Sequence, residues 1–289
     1  MNNEKKILSV FILLISFCIF GQKNQFIYDY KFKMDSLNRA KFESELMILE
    51  TSSEGSKFYS YVQYVYDSSM TATFKKADMT KQNHFDFTGL KNAKIKFTVS
   101  KKYPNYNSLL RTSIGSTRVT LEENNKFDWK IESQKDKILG YNVQKATTYF
   151  QGRKWIAWFT NEIPIQDGPY RFWGLPGLIL KLEDTKGDHT FTIVGTKNID
   201  ESINQKLNVD KTSKDIIVTE EKFNNLWNEY KKDPAKDVRQ QNSSNSSFSS
   251  TITFNGKTYS NDEIAREIEK EVKEKLKTEN NYIELHLYK

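Results

Sequence analysis

In residues 26–34, FIYDYKFKM, Phe26, Tyr28, Tyr30, Phe32 and Met34 fall on one face, and Asp29, Lys31 and Lys33 on the other. An apolar period of two predicts a half-buried strand, because successive side chains point to opposite sides of a sheet. The same pattern returns at 94–100, where Ile95, Phe97 and Val99 alternate with Lys96, Thr98 and Ser100. It returns again at 126–132 with Phe127, Trp129 and Ile131 on one side. GYNVQKATTYF and RKWIAWFT flank Gln151-Gly152 and read as a hairpin. Residues 178–183 and 189–194 flank Asp184-Thr-Lys-Gly187-Asp188, a second hairpin with a longer turn. Residues 58–79 fit either a strand or a short helix.

Beyond residue 200 the period changes. Phe223, Leu226, Trp227 and Tyr230 are spaced i, i+3, i+4, i+7, with Thr219 placed to cap the start and Pro234 beyond the end. That spacing predicts a short amphipathic helix docking by one face. Residues 240–250, QQNSSNSSFSS, read as a polar linker. Asn255-Gly256 marks a small hairpin. Ser260-Asn-Asp-Glu263 is a capping box opening a helix to about Lys277. The apolar residues of that helix, Ile264, Ile268, Val272 and Leu276, are four apart, a narrow stripe suited to lying on a surface.

The stretch 168–184, GPYRFWGLPGLILKLED, is the least ordinary in the chain. Gly168-Pro169 marks one turn, and Leu175-Pro176-Gly177-Leu178 has Pro and Gly where a type II turn wants them. A glycine cradle for phosphate needs a strand before it and a helix after it, whereas here an apolar strand follows from Leu178. The glycines are read as backbone devices.

These elements predict a mainly β (α+β) fold: one curved antiparallel sheet, shaped toward a half-barrel, with helices from the C-terminal third packed on it. The expected divisions are a leader at 1–21, the β domain at 22–200 and a helical and linker extension at 201–289.

The segment from Gly140 to Asp184 resembles the GLPGLI family of exported Bacteroidetes proteins. The resemblance rests on Gly140, Lys145-Ala146-Thr147, Gly152-Arg153, Ala157-Trp158, Thr160, Pro164, Gly168-Pro169 and the run Gly174, Leu175, Pro176, Gly177, Leu178, Ile179. Val143 stands where many relatives are expected to carry cysteine. The resemblance implies export and an unknown function, and it transfers no catalytic residue.

The opening MNNEKKILSVFILLISFCIFGQ has a basic start at Lys5 and Lys6, an uncharged apolar run from Ile7 to Phe20, and the small Gly21. That order predicts a cleaved secretory signal, the run being short for a membrane span of about 20 residues. The chain's one cysteine, Cys18, lies inside it. The mature chain is therefore expected to carry no disulfide, thiolate metal site or cysteine nucleophile. Glu4, Lys5 and Lys6 carry a net +1 of the chain's +7, leaving +6 on the mature part. Its lysines are scattered singly, which reads as a solvated surface and not a nucleic-acid stripe. The expected location is periplasmic or secreted, and not integral to a membrane.

No motif points to catalysis, and no cofactor is expected. His84 and Asp86 share a strand face without a further donor to complete a metal site. His189 reads as a strand-edge residue. Glu183, Asp184 and Asp188 cluster at a turn but lack the regular ligand positions of a calcium loop. Trp155, Trp158 and Trp173 are the candidate ligand-binding residues. Trp155 and Trp158 point to opposite faces of their strand, so only one of them joins a shared core. The expected function is that of an exported, non-catalytic binding or accessory protein, its partner an envelope protein or an apolar or peptide-like ligand. The alternatives are a hydrolase with unrecognised carboxylates and a structural module of the envelope.

Overall fold

The computed structural model describes residues 23–80, 91–199, 215–244, 252–254 and 257–289. The expected leader, His84 with Asp86, and the Asn255-Gly256 turn lie outside them. β1 (Lys23–Phe32), β2 (Glu43–Thr51), β3 (Gly55–Ser60), β4 (Thr98–Lys102), β5 (Asn107–Ile114) and β6 (Thr117–Glu123) form one antiparallel meander. β7 (Lys130–Ile138), β8 (Tyr141–Phe150), β9 (Arg153–Thr160), β10 (Leu178–Asp184) and β11 (His189–Ile199) form a second. β11 returns beside β1, so the two meanders fuse into a single sheet. β12 (Ile216–Val218) adds to β6 in parallel, giving 12 strands and an open sheet that ends at β7 and β12.

β1 sits at the join, paired along its length with β2 and with β11. That central position is why its alternation is so regular. Phe26, Tyr28, Tyr30 and Phe32 are all buried, and across the ladder Tyr28 faces Met47 and Ile193. Tyr30 lies nearly parallel to the Phe191 ring, with centroids 4.0 Å apart. The inner face continues through Leu49, Phe58, Val99, Leu110 and Leu121 on one side and Leu182, Ala157 and Ala146 on the other.

Two expected strands are displaced. The strand expected at 94–100 starts at Thr98, and the one expected at 126–132 starts at Lys130. Phe127 and Trp129 precede their strand and turn their rings onto Phe172, a packing role that alternation alone cannot tell from a strand face. The ambiguous 58–79 segment is both structures in turn: β3 runs straight into helix α1 (Tyr61–Thr80). The Gln151-Gly152 and 184–188 hairpins form where expected, with Gln151 and Gly152 both at positive φ.

Helix α2 (Glu220–Lys232) carries the expected cap, the Thr219 side chain accepting from Lys222 N, and buries Phe223 and Trp227. Helix α3 (Lys236–Ser244) occupies the start of what reads as a linker, so residues 240–244 are helical. The hairpin β13 (Ile252–Phe254) and β14 (Lys257–Tyr259) stands apart from the main sheet. Helix α4 (Asn261–Thr278) opens with the full capping box of Ser260 and Glu263. Its stripe is only half-buried, as its narrow spacing implies. After α4 the chain returns to the inner face, where Ile283 and Leu287 are buried beside Phe223 and Trp227 in the cluster that contains Tyr28 and Phe58. Residues on both sides of position 200 thus share one core.

The connection from β9 to β10 lies over that inner face and is wound tightly. Ile165 N bonds Ile163 O, Asp167 N bonds Ile165 O, and Gly177 N bonds Leu175 O, each an i to i+2 contact. The Leu175–Leu178 turn is therefore tighter than the expected type II form. Pro176 supplies the fixed φ, and Leu178 N bonds back to Ile163 O instead of across the turn. Gly177 has φ +145, and a Cβ there would stand 1.9 Å from Thr160 O. Both the space and the dihedral demand glycine. Gly177→Ala is expected to lower stability by at least about 1 kcal/mol. An unchanged denaturant midpoint would show that this backbone contact does not constrain the fold.

Candidate functional site

Parity along β4 puts Lys101 on the same face as Val99, and so inside the sheet. Its side chain is 0 % exposed and forms an ion pair with Asp167 Oδ1, also fully enclosed. The ammonium further donates to the carbonyls of Gly168 at 2.8 Å, Tyr170 at 2.9 Å and Phe172 at 3.3 Å. These are alternate residues of the GPYRFW stretch. Phe172 N bonds Pro169 O, and Tyr170 at φ +57 bends the chain back between them. The loop thus wraps its carbonyls around the cation.

The other oxygen of Asp167, Oδ2, accepts from the Tyr103 hydroxyl at 2.6 Å, and Oδ1 also accepts from Gly168 N–H at 2.6 Å. Burial pulls the Lys101 ammonium below its ordinary value, and Asp167 opposes that shift. Burial, reinforced by the Asp167 charge, pushes the Tyr103 hydroxyl upward. A desolvated amine beside a carboxylate could serve as a base or nucleophile. Here its donors all point at protein oxygens in an enclosed site, so the arrangement is a fastener.

Arg153 follows Gly152 at the start of β9 and shares the inner face with Trp155. Its guanidinium reaches Asp184 Oδ2 at 2.8 Å, Asp188 Oδ2 at 3.3 Å, Asn281 Oδ1 at 2.6 Å and Tyr282 O at 2.7 Å. Asp184 Oδ1 in turn accepts the N–H groups of Asp188 and His189, which shapes the β10–β11 turn. Of the carboxylates weighed as a calcium site, Asp184 and Asp188 pair with Arg153, and Glu183 pairs with Lys181.

Arg171, also fully enclosed, pairs with Glu123 and has its Nε 3.3 Å from Glu284 Oε1. The Tyr170 hydroxyl donates to that same Glu284 oxygen at 2.5 Å. Arg171 is held above its ordinary value: burial opposes this, but Glu284, Tyr170 and Glu123 outweigh it. At Glu284 the balance reverses, and burial outweighs the help of Arg171 to hold the carboxyl above its ordinary value. Burial thus disfavours the charged form of Glu284, while its anionic neighbours favour the charged form of Arg171.

Trp155 is 0 % exposed and packs on Phe172, with centroids 4.9 Å apart. Trp158 sits on the opposite face, between Lys145 and Lys181 across the ladder, and is only 9 % exposed. Both indoles are therefore buried, one in the core and one under flanking side chains. Trp173 is half-buried, stacked on Tyr106 at 4.4 Å, and its carbonyl accepts from Trp129 Nε1 at 2.8 Å. The three tryptophans do not converge. His189, expected at a strand edge, is buried and bonded through Nδ1 to the Tyr30 hydroxyl at 2.8 Å. Burial and Arg153 together hold it neutral, far below its ordinary value.

Of the motif residues, Gly168 contributes a carbonyl to the cage, Pro169 accepts the turn bond, and Gly174 at φ +94 bonds Gln166 O. Leu175, Leu178 and Ile179 are buried, and the carbonyl of Ile179 accepts from Tyr28. Pro176 faces outward. The decisive groups were Lys101, Arg153, Asp167, Arg171 and Glu284. Alternation could have found two of them. One more step from Ile95, Phe97 and Val99 lands on Lys101, and one step back from Trp155 lands on Arg153.

Among the described residues, no group of three or more His, Cys, Asp or Glu side chains is placed to hold a metal ion, and no helix is long and apolar enough to cross a membrane. A family model described as a protein of unknown function (Porph_ging) matches residues 151–181, from the β8–β9 turn through the loop into β10. It does not confirm the GLPGLI name, and it brings no catalytic residue to this chain. No curated protein matches the sequence. Among solved structures, "Structure of PNGF-II in C2 space group" aligns at 18 % identity and a TM-score of 0.48, covering 71 % of this chain and 32 % of that chain. "Structure of PNGF-II in P21 space group" aligns at 19 % identity and a TM-score of 0.47, covering 71 % and 33 %. The chain spans about a third of the length of these structures.

Breaking the cage leaves buried charge and carbonyls without a partner. Lys101→Met is expected to cost about 3–5 kcal/mol by chemical denaturation. Adding Asp167→Leu should recover only part of that, because the loop carbonyls stay unpaired. Full recovery would mean the carbonyls contribute little. The raised Glu284 carboxyl gives a pH test. Below its ordinary value of 4.5 both the folded and the unfolded chain hold the proton. As pH rises through the folded-state value, the folded chain loses stability on this account. Glu284→Gln lacks that loss, so its stability relative to wild type should grow as pH rises above 4.5. A difference that is flat with pH would contradict the upward shift.

Proposed function

We propose that the protein is an exported, non-catalytic accessory protein of the cell envelope that binds a peptide-like partner. One observation carries the non-catalytic part of this reading. The interior groups with acid–base chemistry, Lys101, Asp167, Arg153, Asp184, Glu284 and His189, are enclosed, and protein atoms hold each of them. The inner face of the sheet is packed by Phe172, Tyr170, Ile283 and Leu287. With that side packed by the protein's own residues, the reading takes a peptide-like partner over a lipid. Export rests on the basic start, apolar run and Gly21 of the first 21 residues.

The hydrolase alternative draws on one feature, the convergence of Glu123 and Glu284 on Arg171. A peptide library incubated with the purified full chain separates the readings. Peptides retained and recovered with unchanged mass support binding. Cleaved products support hydrolysis, and no retention at all favours a purely structural module. For export, the mature chain isolated from the envelope fraction is expected to begin near Gln22, and Met1 retained in a membrane pellet would overturn it.

A further inference from the structure

The residues that set the 151–181 stretch apart have a common contact: the C-terminal segment Asn280–Lys289. Leu285 N bonds Gln151 O at 3.1 Å. A Cβ on Gly152 would come 3.1 Å from the His286 ring and 3.4 Å from Leu285 Cβ, so the glycine lets the segment lie close. Arg153 grips the Asn281 side chain and the Tyr282 carbonyl, while Tyr170 and Arg171 receive Glu284. Ile283 and Leu287, which flank Glu284 in sequence, are buried in the hydrophobic core.

The segment is held as a ligand is held. It forms no strand of the sheet, and side chains seated in sockets do most of the anchoring, joined by a few backbone bonds such as those of Asn280 and Asn281 N to Met34 O. The sockets are also imperfectly filled. Arg171 Nη2 and Nε and Glu284 Oε2 are buried without a hydrogen-bond partner among the described residues. An arginine fork can take a carboxylate through two parallel bonds, and Glu284 reaches it out of alignment. The cis segment therefore leaves binding capacity unused at the most enclosed cation of the groove.

We propose that Gln151-Gly152-Arg153 and Tyr170-Arg171 form a peptide-binding groove that the chain's own C-terminal segment occupies in cis. The groove accepts from a partner protein a peptide of the same chemistry: an amide side chain, then an aliphatic residue followed by a carboxylate, and a second aliphatic three residues later. This rests on the peptide-binding reading above and names its site. Displacement moves the cis segment off Arg153 and Arg171 and lets the incoming carboxylate pair with Arg171.

The test uses a fluorescent synthetic peptide with the sequence of Asn280–Lys289 and the full-length protein. In the wild-type chain the cis segment competes, so the labelled peptide binds weakly. In full-length Glu284→Ala/Leu287→Ala the cis segment is weakened, and the labelled peptide should bind about tenfold tighter or better, since less of the groove is occupied. A peptide with Gln in place of the glutamate should lose that gain. Equal binding to both chains, or binding to neither, overturns the groove. Should the double variant not fold, a protease site placed between Thr278 and Glu279 gives a second route. After cutting, the folded chain should keep its segment and exchange it for the labelled peptide. A segment that leaves only when tryptophan fluorescence reports unfolding is part of the core, and the proposal fails. Library peptides that bind while this peptide does not would sink the groove alone. The absence of both would sink the binding reading as well.

Discussion

An ammonium group inside an apolar sheet has to be solvated by something other than water. Lys101 is such a group, and removing an ion of that size from water carries a penalty of several kcal/mol even after relaxation. Asp167 balances the charge, but one carboxylate cannot satisfy three N–H donors. The carbonyls of Gly168, Tyr170 and Phe172 do so, and they can only converge if the backbone curls around the nitrogen. The tight turns, the positive φ of Tyr170 and the close approach at Gly177 are the means of that curl. Once the loop is wound, Phe172 is delivered onto Trp155, and Arg171 is carried into the interior. The cage explains why a glycine- and proline-rich stretch is ordered and buried.

From there the constraint passes outward. Arg171 inside the molecule needs anions, and it finds Glu123 from β6 and Glu284 from the chain's end. Arg153 plays the same part at the neighbouring hairpin, with Asp184, Asp188 and Asn281. The C-terminal segment is thus bound to two guanidinium groups whose positions the sheet and the loop determine. Asp184 divides its oxygens between Arg153 and the backbone of its own turn, so this clamp also shapes the β10–β11 hairpin. The desolvation of buried arginine pairs of this kind offsets most of their attraction.

The filled inner face has a functional consequence. A half-barrel left empty would offer an apolar trough, and its Trp155 could report a ligand. Here Trp155 touches the protein's own Phe172 and lies near His189, and α2 closes the far end with Phe223 and Trp227. The proposed peptide recognition would therefore run through the C-terminal segment and not through an apolar trough.

Much of the architecture was legible in residue order alone. Alternation identified β1, and the glycine turns identified the hairpins at Gln151-Gly152 and Asp184–Asp188, because period and turn chemistry are local properties. Thr219 and the Ser260–Glu263 box marked two helix starts for the same reason. Where a ring could pack without belonging to a strand, as Phe127 and Trp129 do, local pattern misplaced the element. The candidate site was less legible. Lys101 in Ser-Lys-Lys looks like any solvated lysine, and only its parity with Val99 hints otherwise. Nothing local pairs Lys101 with Asp167, Arg153 with Asn281, or Arg171 with Glu284, since the partners lie on different elements far along the chain. The sequence by itself determined strands, turns, caps and the position of the unusual loop. The tertiary structure decided which charges are enclosed, because the cost of burying a charge is set by the groups that fold around it.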